Sequence, residues 1–306
     1  MGATALRAQD AASETDAGSK SAVTYMPILA QRQFVSNAKA IKATPYADFF
    51  TGDLTVSTDF ARSLQLGTLD KAETLPPSVA GLNALLDLDH SATKNGYAVL
   101  DGSTSYVQSR HVMPGVSAEM LRWWFTWHEV ERERYSLWFP HAHIENSVQD
   151  PQRLQDRTKT YEQRLYDNPN YVKELVGPTA MELLIRFKDP AKLGFDAKAF
   201  SDRGFIASAS GIVGPATADD VINSMMIHIA RDTDQGMELV SRYWIGAHPD
   251  LARFEGAEKA AGMMAQAGYN DSVAEMSAYE LAVHDMIEFT HLASFLPALH
   301  ARFGQE

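Results

Sequence analysis

The 306-residue chain contains no cysteine. That absence excludes disulfides, thiolate zinc sites, iron–sulfur clusters and cysteine nucleophiles. Any metal must be held by His, Asp or Glu, a donor set that suits zinc, manganese or iron. Positive charge is also scarce: 27 Lys and Arg stand against 39 Asp and Glu, a formal charge of −12. Such a balance supplies no phosphate-binding stripe and argues against nucleic-acid or anionic-membrane partners. No apolar run reaches the length of a membrane span, and the N-terminus has no apolar signal core. Residues 1–22, dominated by Ala, Ser, Asp, Gly and Thr, read as a disordered lead-in. The compartment is read as cytoplasmic, with an exported mature form as the alternative.

What is present is ordinary for a folded protein: 45% hydrophobic and 10% aromatic residues. The length allows one large domain and a smaller one. Residues 23–95 read as a small, mainly helical region with helices over Thr58–Gln65 and Ser78–Leu88, interrupted at Pro76-Pro77. A turn at Thr93–Gly96 marks the boundary. The sequence 97–112 then reads as a hairpin about Asp101-Gly102, and Ser117 as the N-cap of one helix running from Met120 to Trp138. A polar helical stretch over 149–166 follows. Five strands are expected at 171–176, 181–188, 204–213, 221–231 and 236–246. The chain closes with helices over 256–267 and 273–302, the second long and amphipathic. Residues 96–306 therefore predict an α+β domain, an antiparallel sheet curved around a long C-terminal helix with a cavity between.

His284 and Glu288 are four residues apart, so one helix face presents both to a single ion or leaves them as a helix ion pair. His128 ends Trp123-Trp-Phe-Thr-Trp-His128, where it is either a metal ligand or a core histidine bonded to a backbone carbonyl. Glu174 shares a strand face with Val172 and Val176. A carboxylate pointing inward there needs a partner or a metal, and the alternative is an edge salt bridge. His228 and Tyr243 lie on adjacent strands, either as proton donor and positioner or as a cross-strand hydrogen-bonded pair.

Several blocks carry a resemblance. Asn95-Gly-Tyr-Ala-Val-Leu-Asp-Gly-Ser103, Met113-Pro-Gly-Val-Ser-Ala-Glu-Met120, Trp123–His128, Arg134-Tyr-Ser-Leu-Trp-Phe-Pro140, Glu174-Leu-Val-Gly177 and His284-Asp-Met-Ile-Glu288 resemble the 2,4-diacetylphloroglucinol hydrolase/phloretin hydrolase family over roughly residues 75–295. The resemblance implies a helix-grip fold similar to birch-pollen-allergen and START domains. It further implies a Zn2+ site of two His and two Glu, which falls on His128, Glu174, His284 and Glu288 with an insertion between the first two. His228 and Tyr243 fall on the catalytic pair. The implied reaction is hydrolysis of a carbon–carbon bond between an acyl group and a phloroglucinol-like aromatic or β-dicarbonyl carbon, and the resemblance also implies a homodimer acting on aromatic ketones or polyketide-like substrates. The diacetylphloroglucinol enzymes carry a Tyr eight residues before the first ligand and an Asn three after it; with His128 as that ligand, Met120 and Glu131 occupy those substrate-pocket positions. Phe139 stands where Leu-Trp-His-Pro is common. Two other readings remain open: a non-catalytic binding module for an apolar ligand, and a zinc hydrolase acting on another bond such as an ester.

Overall fold

Side chains alternate across a strand, so a sheet buried on both faces needs a covering layer on each. The computed structural model, which describes residues 19–246 and 249–305, has such a sheet. Its nine strands are β1 (Gly96–Leu100), β2 (Thr104–Met113), β3 (His143–Val148), β4 (Asn170–Val176), β5 (Thr179–Phe187), β6 (Phe205–Ser208), β7 (Gly211–Pro215), β8 (Ser224–Thr233) and β9 (Gly236–Ile245). All pairings are antiparallel in the order β1-β2-β9-β8-β7-β5-β4-β3, with β6 alongside the distal half of β8. The helices that matter for the site are α1 (Ile28–Ile41), α2 (Ala118–Trp127), α3 (Arg132–Trp138) and α4 (Asp271–Phe303).

Along β9, Met237, Leu239 and Tyr243 join the cores that contain α4, whereas Val240 and Trp244 join the opposite core. That opposite layer is built from Val79, Leu82, Leu85, Phe195 and Phe205. Buried Arg242 ties it to the sheet, donating from Nε to the Leu75 carbonyl at 2.7 Å. On the inner face lies α4, 33 residues and about 50 Å long. Asn270 caps it by accepting from the Ser272 and Val273 amides. Ala274, Ala278 and Ala282 are small and fully buried, which lets the first half lie close to the sheet. The second half drives Phe289, Leu292, Phe295 and Leu299 into the aromatic core around Trp124. The α+β arrangement of antiparallel sheet and long C-terminal helix is the one expected.

Several local expectations are corrected. A single apolar stripe does not describe α4: residues 284–292 are buried without interruption, because the sheet covers one side and the aromatic core the other. The expected helix over 120–138 breaks after Trp127 into a short turn over His128–Val130. There the His128 Nδ1 bonds the Trp124 carbonyl at 2.7 Å and Arg134 takes the Trp127 carbonyl at 3.1 Å, both in competition with helix continuation. The strand expected at 204–213 is two, β6 and β7. Of the lead-in, residues 1–18 lie outside the described residues, and Lys20–Ala22 pair with Thr55–Ser57 as a short ribbon. Strand β3 was not anticipated.

α1 reaches the site through Asn37. Its buried amide donates to the Pro140 carbonyl at 3.0 Å and to the His143 carbonyl at 2.7 Å. Asn37→Ala leaves both carbonyls unsatisfied in a dry place and is expected to lower stability by about 1–3 kcal/mol in urea titration. A loss within error would show that water replaces the amide.

Candidate metal centre

Between α4 and the concave face of the sheet lies a cavity of about 450 Å³. Strand alternation supplies its wall: Asn170, Val172, Glu174 and Val176 from β4, Met181, Leu183, Ile185 and Phe187 from β5, Met226 and His228 from β8, Tyr243 and Ile245 from β9. From α4 come Met276, Glu280, His284 and Glu288.

At one end two imidazoles and two carboxylates converge. His143 opens β3 and pairs in register with Glu174 on β4. Its Nε2 stands 3.4 Å from His284 Nε2, 3.4 Å from Glu288 and 3.8 Å from Glu174. His284 and Glu288, one helical turn apart, approach to 3.5 Å. Ligand atoms of His143, Glu174 and His284 all lie within 4.8 Å of one another. Both rings have their other nitrogen engaged: His143 Nδ1 with the Tyr135 carbonyl and His284 Nδ1 with the Leu175 carbonyl, each at 3.1 Å. A carbonyl can only accept, so each Nδ1 carries a proton and, in the neutral ring, each Nε2 presents its lone pair to the cluster. That is the tautomer a metal ligand needs, fixed by backbone rather than by the ion. Tyr135 adds a ring stacked on His143 at 3.9 Å and a hydroxyl donated to Glu174.

The electrostatics of the cluster suit a cation. Burial pushes the Glu288 carboxyl up to about 7 against the lowering effect of His284. Burial disfavours a charged His284, yet Glu288 and Glu174 outweigh it and raise the ring to about 9. Burial, reinforced by His284, holds His143 well below its ordinary value. A dication would offset the two carboxylate charges directly, and the cysteine-free His₂Glu₂ set fits zinc.

The sequence-predicted residues are thus partly gathered. Glu174, His284 and Glu288 meet; His128 does not join them. It lies behind Tyr135, stacked on Trp124 at 4.7 Å with Nδ1 taken by the Trp124 carbonyl, and burial lowers it to about 3. The place assigned to it is filled by His143. Counting from His143, the Tyr eight residues before is Tyr135 and the Asn three after is Asn146. Both line the cavity. Met120 and Glu131 stand outside it: Met120 packs on the aromatic core, and Glu131 receives the Tyr46 hydroxyl and pairs with Arg134 at 2.8 Å. Phe139 packs its ring 4.9 Å from that of His284.

A second buried network adjoins the first. Tyr243 donates to Asp285 at 2.8 Å and lies 3.3 Å from His228 Nε2. His228 Nδ1 meets Ser241 Oγ, and His111 Nε2 meets the other Asp285 oxygen, both at 2.8 Å. Burial lowers His228 to about 4, partly offset by Asp285. Burial and then the Asp285 charge push the Tyr243 phenol well above its ordinary value. At neutral pH the imidazole is uncharged and the phenol keeps its proton. Asp285 and His111 escaped the sequence reading, although Asp285 sits inside the His284–Glu288 segment.

These buried histidines set an acid limit. His90, buried and bonded to the Leu85 carbonyl, is lowered to about 4, as is His291, both chiefly by burial. Their folded values lie below the unfolded 6.5, so the unfolded state binds more protons between the two. The stability these lowered histidines contribute is full above about pH 6.5 and is expected to fall steadily towards pH 4. Thermal melts across that range check it; a flat profile would contradict neutral buried histidines.

Comparison with known proteins follows the same lines. The family description "DAPG hydrolase PhiG domain" matches residues 75–301. The 2,4-diacetylphloroglucinol hydrolase of Pseudomonas protegens is 43% identical over 92% of this chain and 92% of its own length. The phloretin hydrolase of Eubacterium ramulus is 28% identical over 67% of this chain and 71% of its own. The chain belongs to the DAPG hydrolase family.

Proposed function

We propose that the protein is a zinc-dependent hydrolase cleaving the carbon–carbon bond between an acyl group and a phloroglucinol-like aromatic or β-dicarbonyl carbon. The observation that carries this reading is the pair of imidazoles, His143 and His284, whose Nδ1 atoms rest on backbone carbonyls while both Nε2 atoms face Glu174 and Glu288 at the end of an apolar cavity. Family membership and the names of the relatives support the substrate class.

Hydrolysis adds hydroxyl to the acyl carbon and hydrogen to the ring carbon. His143, Glu174, His284 and Glu288 would hold the zinc, which would supply Lewis acidity towards the carbonyl oxygen and towards water. Everything else falls to the chain. Burial keeps Tyr243 protonated at neutral pH, and neutral His228 adjoins it, so the phenol can hand its proton to the departing ring carbon and be reprotonated from water through the imidazole. Asp285 fixes the Tyr243 hydroxyl. Met181, Met226 and Met276 offer a deformable apolar wall to the ring and acyl group.

The test is elemental analysis of purified protein with a substrate panel of acylphloroglucinols, phloretin, β-diketones and aryl esters. About one zinc per chain and chelator-sensitive release of a carboxylic acid from an acylphloroglucinol are expected. Turnover of aryl esters alone, or ligand binding indifferent to chelators, would overturn the reading in favour of another bond or a binding module.

A further inference from the structure

One buried acid in the cavity takes no part in the chemistry above. Glu129 is 1% exposed, lines the cavity, and follows His128 in the turn that breaks the aromatic helix. One side of its carboxyl is hydrogen-bonded by Asn170. Asn170 in turn donates to Asn146 Oδ1 at 3.1 Å. Glu129 Oε2 has no hydrogen-bond partner among the described residues. A buried polar atom without a partner is destabilising, and folded chains keep few of them. Here the atom belongs to a side chain on the wall of a ligand-sized space, beside Asn170 and Asn146 on the same wall.

We propose that Glu129 is a specificity-determining residue whose free carboxyl oxygen, oriented through Asn170 and Asn146, hydrogen-bonds a ring hydroxyl of a polyhydroxylated aromatic substrate. The inference rests on the proposed substrate class and deepens it: the oxygen-rich ring, and not the acyl group alone, is recognised. Burial pushes this carboxyl well above its ordinary value. Asn170 hydrogen-bonds the carboxyl, and Oε2 is left to pair with a ring hydroxyl, which can both donate and accept. Such a group favours a hydroxylated ring over a hydrocarbon ring without demanding charge on the ligand. A site built to hydrogen-bond a hydroxyl also rejects the analogue lacking it, because its own polar atom is then left unpaired.

Equilibrium binding to the zinc-loaded protein tests this without turnover, using quenching of tryptophan fluorescence, since Trp138 lines the cavity. The probes are phloroglucinol, with three ring hydroxyls and no acyl group to cleave, and 2,4-pentanedione, a β-diketone without a ring. Glu129→Ala is expected to weaken phloroglucinol about tenfold and to leave the diketone within about twofold. Glu129→Gln keeps a donor in the same place and should restore phloroglucinol binding to within about threefold of wild type. Unchanged phloroglucinol affinity in Glu129→Ala, or equal loss for both probes, overturns the proposal. If Glu129→Ala does not fold, the Gln variant decides by its probe ratio: a ratio kept near wild type supports the hydrogen-bonding role, and a collapsed ratio overturns it. The two readings fail separately. Wild-type protein that binds phloroglucinol but cleaves no acyl derivative removes the hydrolase reading and leaves the subsite. Wild-type cleavage with an indifferent Glu129→Ala removes the subsite alone.

Discussion

His143→Ala is expected to empty the metal site, with zinc falling from about one per chain to below about a tenth, and to lower turnover more than ~100-fold. His143 contributes one of two Nε2 donors in the cluster, and its Nε2 lies within 3.8 Å of donor atoms on Glu174, His284 and Glu288. Its removal leaves one imidazole and two carboxylates, of which Glu288 already resists ionisation in the buried setting. His128→Ala should behave differently. That ring faces Trp124 and Tyr135, so its loss opens a hole in the aromatic core and lowers stability by about 2–4 kcal/mol while zinc stays bound. Measuring metal and melting temperature on both variants separates the two histidines. Zinc lost from His128→Ala and kept by His143→Ala would reverse the assignment.

The reason His128 attracts attention in the sequence, and His143 does not, is physical. An imidazole closing a run of tryptophans announces burial, and burial is the property a sequence reading can see. His143 stands in Pro140-His-Ala-His143, which has no helical or alternating period. The strand it opens carries a register irregularity between His143 and Glu145, so the period-two signal is broken where it is needed. Glu174 was legible because β4 alternates cleanly, with Val172 and Val176 on its face of the strand and in the same wall. His284 and Glu288 were legible because four residues on a helix is a distance as well as a spacing. The architecture followed from the same periods. The tie between Asn37 and the His143 carbonyl was not legible, since 106 residues of sequence separation carry no local pattern. Glu129 was hidden for another reason: a carboxylate beside charged neighbours in Glu129-Val-Glu131-Arg-Glu133-Arg134 reads as solvated surface, and only the broken helix turns it inward.

Tyr243→Phe is expected to slow turnover by about 10²–10⁴ while zinc content stays at the wild-type level. The argument starts from α4. Successive helical residues are rotated by about 100°, so while His284 and Glu288 face the cluster, Asp285 turns to a neighbouring arc and meets the sheet. There it receives the Tyr243 hydroxyl on one oxygen and His111 on the other. One short helical segment thus positions both the proposed metal donors, His284 and Glu288, and the proposed proton donor, through Asp285. Deleting the hydroxyl removes the proton and leaves the ring, its neighbours and the donor set in place. His228→Ala should reduce turnover on the same scale, because it removes the base beside that hydroxyl. The two losses should not add in the double variant, as groups acting in one proton transfer fail together. Full additivity would mean that His228 and Tyr243 serve separate steps. Wild-type turnover in Tyr243→Phe would place the proton source elsewhere in the cavity.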